Sequence, residues 1–127
     1  PTRKRKTDAG YDLYSVENKT IPPSEPIKVS LGVAIAAPPG YYYTIEGRSG
    51  LGADGVMPFR TIIDATYTGE LFVVLYNMGS LSYTVAMGDR IAQLTLHKIE
   101  HINFHKVEEF SDEYNVRGTD GWGSSGL

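Results

Sequence analysis

Five short polar islands hold most of the side chains able to do chemistry in this chain: Ala9-Gly10-Tyr11-Asp12-Leu13-Tyr14, Gly47-Arg48-Ser49-Gly50-Leu51, residues 63–70 (IDATYTGE), residues 88–94 (GDRIAQL) and residues 117–126 (RGTDGWGSSG). Each sets a charged, hydroxyl or amide side chain beside small residues. Arginine brings a charged fork and glycine an unobstructed backbone N–H, the pair of features that suits phosphate oxygens. No G-x-x-x-x-G-K-[ST] run is present, so the phosphate chemistry is not that of a P-loop. There is no cysteine, which excludes disulfides, thiolate nucleophiles and cysteine-bearing zinc sites.

Taken singly, each island admits a plainer reading. Arg48 is as readily a surface arginine, and Gln93 an edge-strand amide. Asp12 and Asp89 are the kind of residue that caps turns. Asp64 is more pointed, because it ends the apolar pair Ile62-Ile63 with a carboxylate and leads into Ala65-Thr66-Tyr67. It too could be a turn aspartate. Trp122 is the odd residue of a glycine-rich tail, since an indole in solvent has no reason to be there unless it covers something.

The segments between the islands read as strands. Ile27, Val29, Leu31, Val33 and Ile35 recur at every second position, a period of two with one buried face. Ala37-Pro38-Pro39-Gly40 stops that strand, and 41–46 resumes an extended aromatic one. Residues 70–76 (ELFVVLY) are almost continuously apolar, as a central strand should be. Asn77-Met78-Gly79 turns the chain, Tyr83, Val85 and Met87 alternate again, and 91–99 is a last long extended stretch. No segment shows a helical period over a dozen residues; a single turn is expected around 49–52. Residues 47–69 lack alternation, and so does the tail 115–127, with its four glycines and two serines. Many short strands at this spacing predict an all-β fold, either a barrel or a jelly roll. The expected organisation is a β-barrel domain over 1–114 and a flexible arm over 115–127.

Composition agrees. The 127 residues suffice for one core, 14 glycines and 7 prolines favour strands broken by turns, and only 21% of residues are charged. A formal charge of −3 argues against a dedicated nucleic-acid binder. The Arg3-Lys4-Arg5-Lys6 run could touch phosphates, yet a short terminal basic run is more often just solvated. No apolar run approaches the roughly 20 residues of a membrane-spanning helix, and residues 1–6 lack the basic-then-apolar pattern of a secretory signal. Beginning with Pro1, the chain is expected to be processed or trimmed. The absence of cysteine fits a cytosolic protein but is compatible with any compartment; the expected setting is intracellular, cytoplasmic or nuclear.

The five islands in this order resemble the motifs of the trimeric dUTPase family over the whole chain. Residues 9–14 match its first motif (AGYDLY), 47–51 its second (RSGL), 63–70 its third (ID-x-x-Y-x-GE) and 88–94 its fourth (GDRIAQL). Residues 117–126 are similar to its fifth, RG-x-GGFGSTG. The resemblance implies a jelly-roll-type β-barrel, a homotrimer with active sites at subunit interfaces, and hydrolysis of dUTP to dUMP and pyrophosphate with Mg²⁺. It implies that Asp64 is the general base for water attacking the α-phosphorus, and that Tyr67 lies under the deoxyribose, where a 2′-hydroxyl would clash. It further implies that Arg48, Ser49 and Gln93 hold phosphate oxygens, that Gly50 and Thr61 also bind substrate, and that Asp12 stands near the metal through water. Arg117 would clamp phosphate, Trp122 would replace a phenylalanine stacked on uracil, and Gly123, Ser124 and Ser125 would close over the β- and γ-phosphates. Such roles agree with the chemistry, since attack on a polyanion first requires that its charge be neutralised.

Several positions depart from the family. Uracil is expected to be read by the backbone of a hairpin just before the third motif, here residues 54–61. Thr61 stands where glycine is usual, and Pro58 cannot donate an N–H. Thr66 and Thr68 replace a common Asp and Arg, and Asp120 adds a negative charge to the arm. Relatives commonly carry a short strand before the Pro-Thr that opens this chain, and its absence would leave a sheet edge open. Of the rival readings, a dCTP deaminase needs a glutamate in the strand after the third motif, and 72–76 has none. A non-catalytic binding protein has no need of Asp64, Arg48, Gln93 and Arg117 together. A viral jelly-roll structural protein leaves the tail unexplained.

Overall fold

A computed structural model of the chain describes residues 1–114. The strands are β1 (Tyr11–Tyr14), β2 (Lys19–Ile21), β3 (Pro26–Ala34), β4 (Tyr41–Glu46), β5 (Val56–Pro58), β6 (Thr61–Ile63), β7 (Glu70–Asn77), β8 (Tyr83–Val85) and β9 (Arg90–Lys98). A five-residue helix, α1 (Ser49–Ala53), is the expected single turn and a little more. The all-β class therefore holds for the described residues.

The barrel does not. The strands form three open antiparallel sheets, ordered β1-β9-β4-β6, β2-β8 and β3-β7-β5, rather than a sheet closed on itself. Closure requires a staggered ladder that runs continuously around the molecule. Here β2, β5, β6 and β8 have three residues each, about 10 Å of strand, and the chain changes sheets between β5 and β6. The expected jelly-roll-type β-barrel is thus corrected to three open sheets around one shared core.

That core takes at least one buried apolar side chain from every strand and from α1, including Leu13, Ile21, Val29, Ile45, Leu51, Val56, Ile63, Leu75, Val85 and Leu94. β7 is central in its sheet, between β3 and β5, and its burial alternates along the strand. Asn77 at its end is 1% exposed and fully paired. Its Nδ2 donates to the Ile21 and Leu81 carbonyls at 2.9 and 2.8 Å, and its Oδ1 accepts from the Gly79 N–H at 2.9 Å. One side chain so ties β2 and the turn before β8 to β7.

The paired strands β4 and β9 turn Ile45 and Leu94 into the core and a polar row to their other face. There the buried Thr44 hydroxyl donates to Glu46 Oε1 at 2.6 Å, and lies 2.7 Å from Thr95 Oγ1 and 3.0 Å from His97 Nε2. Thr95 Oγ1 is also 2.8 Å from His97 Nε2. The His97 ring stacks on Tyr42 with centroids 5.2 Å apart. Arg60 Nε donates to the same Glu46 oxygen at 2.8 Å. The Thr44 hydroxyl, followed by the Arg60 guanidinium, holds the Glu46 carboxyl below the usual glutamate range.

Candidate active site

The β1–β9 ladder sets Asp12 opposite Gln93, and the β4–β9 ladder sets Glu46 opposite Gln93, so Gly47 and Arg48 leave β4 beside the same two side chains. Three sequence islands far apart in the chain thereby meet. Arg48 Nε donates to Asp12 Oδ1 at 2.9 Å, and its Nη1 donates to the Arg90 carbonyl at 3.0 Å. Arg90 Nη1 reaches Asp12 Oδ2 at 3.5 Å. Gln93 Nε2 donates to the Gly47 carbonyl at 2.6 Å. Gly10 makes this packing possible, because a Cβ there would meet Gln93 Oε1 at 2.3 Å. Ser49 and Gly50, exposed in the first turn of α1, line the same open hollow of about 610 Å³ with Arg48, Asp12 and Gln93. Guanidinium groups, an amide and small residues around a hollow this size suit an anionic group such as a phosphate chain.

Asp12 is not a turn cap, since its two carboxylate oxygens face two guanidiniums. Asp89 does have the plainer role: its carboxylate accepts the Ala86 N–H at 2.8 Å and its carbonyl the Ser15 N–H at 2.9 Å, which fixes the β8–β9 turn. Among the described residues no group of three His, Asp or Glu side chains is placed to hold a metal ion. A lone carboxylate between two arginines does not fit inner-sphere Mg²⁺. It fits only a metal whose ligands come from elsewhere, above all from phosphate oxygens.

The carboxylate side lies elsewhere. Ile63 ends β6 inside the core and Asp64 emerges beyond it, exposed. The Asp64 carbonyl accepts the Tyr67 N–H at 3.0 Å, and the Tyr67 hydroxyl donates to the Glu70 carbonyl at 2.8 Å. Tyr67 folds back over Gly69, where a Cβ would lie 2.6 Å from the phenolic oxygen. Thr61, Asp64 and Tyr67 line a hollow of about 280 Å³ with residues of β7. No residue is common to this hollow and the arginine-lined one, and no hydrogen bond or ion pair joins them among the described residues. Within one chain, Asp64 and Tyr67 are brought together, as are Arg48, Ser49, Gly50, Gln93 and Asp12; the two sets are not.

The stretch before Asp64 is not a hairpin by mutual pairing. β5 pairs with β7, and β6 pairs with β4. Pro58 is tolerated because β5 is an edge strand, where no ladder partner needs its missing N–H. Its ring faces Gly47, with Cδ 3.4 Å from where a Cβ on Gly47 would stand. Arg117, Trp122, Gly123, Ser124 and Ser125 lie outside the described residues. Sequence reasoning passed over Gly10, Gly69 and Arg90, although all three stand inside its islands. Arg90 duplicates the chemistry of Arg48, which was the signal available.

Fold and site together define a β-sheet protein with an arginine-lined hollow and a separate hollow lined by Asp64 and Tyr67. Residues 1–126 match the dUTPase family model. The chain is 41% identical over 127 residues to the mitochondrial deoxyuridine 5′-triphosphate nucleotidohydrolase of Homo sapiens, covering 99% of itself and 50% of that protein, about half its length. It is 41% identical over 128 residues to the enzyme of the same name from Paramecium bursaria Chlorella virus 1, covering 100% of itself and 89% of the relative. Among solved structures, a mutant dUTPase of Staphylococcus bacteriophage 80alpha with dUpNHpp superposes with a TM-score of 0.89 at 30% identity, over 100% of this chain and 91% of that one. The chain belongs to the dUTPase family, and with it to the dUTP-hydrolysing enzymes. Among the described residues no helix is long and apolar enough to cross a membrane.

Proposed function

We propose that this chain hydrolyses dUTP to dUMP and pyrophosphate at sites shared between copies of a homotrimer. The observation that carries the reading is the separation of two half-equipped hollows, one with the arginines, Ser49, Gly50 and Gln93, the other with Asp64, Tyr67 and Thr61. Each lacks what the other has. A cyclic assembly supplies the missing half from a neighbouring copy, once per interface.

In this reading Asp64 holds a water in line with the α-phosphorus and takes its proton as the oxygen–phosphorus bond forms. The bond from the α-phosphorus to the bridging oxygen breaks, and pyrophosphate leaves. Arg48, Ser49, Gly50 and Gln93 bind phosphate oxygens, with Arg48 pre-aimed by Asp12 and the Arg90 carbonyl. A Mg²⁺ ion held chiefly by the triphosphate, with Asp12 reached through water, would neutralise charge on the leaving group. Tyr67, held against Gly69, packs under the deoxyribose and excludes a 2′-hydroxyl, and Thr61 borders the base. Residues 115–127 act as an arm that closes on the site: Arg117 on phosphate, Trp122 on uracil, and Gly123, Ser124 and Ser125 over the outer phosphates. An intracellular location, cytoplasmic or nuclear, goes with a deoxynucleotide substrate.

The test is pyrophosphate release from a panel of nucleotides with Mg²⁺. Release from dUTP should far exceed that from dCTP, dTTP or UTP, and equal release from dCTP would reject the substrate. Asp64→Asn should abolish turnover while dUTP binding survives; wild-type turnover in that variant would remove Asp64 from its role.

A further inference from the structure

Residues 2–10 form a loop beside the arginine-lined hollow, and both of its ends are pinned. Thr2 and Asp12 exchange backbone hydrogen bonds, Thr2 N–H to the Asp12 carbonyl at 3.2 Å and Asp12 N–H to the Thr2 carbonyl at 2.6 Å. Within the loop the Asp8 N–H donates to the Arg5 carbonyl at 3.1 Å, and the Asp8 carboxylate accepts the Arg5 N–H at 2.9 Å. This built turn carries four consecutive cations, Arg3 to Lys6, which from sequence alone read more readily as a solvated terminus than as a phosphate contact.

Two of them belong to the hollow. Arg3 and Lys4 line it together with Asp8, Asp12, Arg48 and Arg90. The Arg3 guanidinium lies 4.7 Å from the Tyr11 ring centroid, and Arg3 Nη1 donates to the Asp8 carbonyl at 3.3 Å, so packing on β1 directs its charge. Lys4 forms no ion pair among the described residues. Arg48 and Arg90 already face Asp12. Set against Asp8 and Asp12, those two arginines leave the lining neutral; its net positive charge comes from Arg3 and Lys4. The chain as a whole carries −3, so a polyanion approaches against the mean field of the molecule unless a local one guides it.

We propose that Arg3 and Lys4 select the substrate by charge: they capture its polyphosphate and draw it into the hollow of Arg48 and Gln93. The proposal rests on the dUTP reading above and adds residues outside the five islands to the binding site. The recognised chemistry is a free or nucleoside-borne polyphosphate, not a base.

The experiment compares the full chain with Arg3→Gln/Lys4→Gln and with the charge-preserving Arg3→Lys/Lys4→Arg. At low ionic strength the neutral double variant should lose on the order of 10-fold in kcat/KM for dUTP with kcat little changed. At about 0.5 M salt, where the screening length is only a few ångströms, the difference should shrink below roughly twofold. Inhibition by inorganic tripolyphosphate should weaken in parallel, inhibition by deoxyuridine should stay constant, and the charge-preserving variant should behave as wild type. An equal loss at every ionic strength or an unchanged kcat/KM would overturn the proposal. If the wild type releases no pyrophosphate from dUTP, it is the proposed function that fails. Calorimetric titration of tripolyphosphate into the same proteins then still decides whether Arg3 and Lys4 bind it.

Discussion

A glycine can matter at a site without touching a ligand. Gly10 leaves the space that the Gln93 amide occupies, and a Cβ at 2.3 Å from Gln93 Oε1 would push aside the end of a flexible side chain rather than backbone. Gly10→Ala should therefore fold with a nearly unchanged melting temperature. It should nevertheless lose about 100-fold in kcat/KM, since displacing a positioning group by an ångström has that order of effect. Thermal melts beside steady-state kinetics check both halves of the expectation. Island by island, the side chains could be named from sequence, but not their partners. Asp12 read as a turn cap or a neighbour of metal, and its pairing with Arg48 and Arg90 needed the register of β1 on β9, which no local pattern encodes.

The strands divide by length into those the sequence reveals and those it hides. β3, β4, β7 and β9 run six to nine residues and show either a period of two or an apolar run bounded by turns. β2, β5 and β6 have three residues each, too few for any period to emerge, so beyond the one helical turn 47–69 read as irregular although it holds two strands. Those short strands also explain why closure was expected and not found, since alternation reports a buried face and says nothing of how far a ladder continues. Two element-scale outcomes follow. Asn77→Ala strands two carbonyls and an N–H in the interior where β2, β7 and the turn before β8 meet, and should cost about 3 kcal/mol in chemical denaturation. Glu46 has a folded pKa below its unfolded one, so its contribution is complete above the ordinary glutamate range and fades as pH falls through the lowered value. Denaturation of Glu46→Gln between about pH 5 and pH 2 should show a shallower acid limb than wild type. Part of that limb should persist through Glu17, whose carboxylate accepts the Ser30 N–H and is likewise held low.

For the whole molecule, the proposed function makes activity a property of the assembly, because the two hollows are separate within one chain. Asp64→Asn retains an intact arginine side and Arg48→Gln an intact carboxylate side, so each homotrimer should be inactive. Unfolded together in equal amounts and refolded, they should regain roughly a quarter of wild-type turnover, because one interface in four then joins the two sound halves. Pyrophosphate release from the mixture measures this. Recovery indistinguishable from zero would mean that each chain builds its site alone.

The cluster around Thr44 has a consequence for where one proton resides. A hydroxyl has a single hydrogen, and the one on Thr44 goes to Glu46 Oε1. Thr95 must then give its own to Thr44, which leaves neither oxygen able to donate to the imidazole. His97 consequently carries hydrogen on Nε2 and shares it between the two threonines at 3.0 and 2.8 Å. Nitrogen-15 resonances of that ring should report the Nε2–H tautomer, and Thr44→Val should release the constraint.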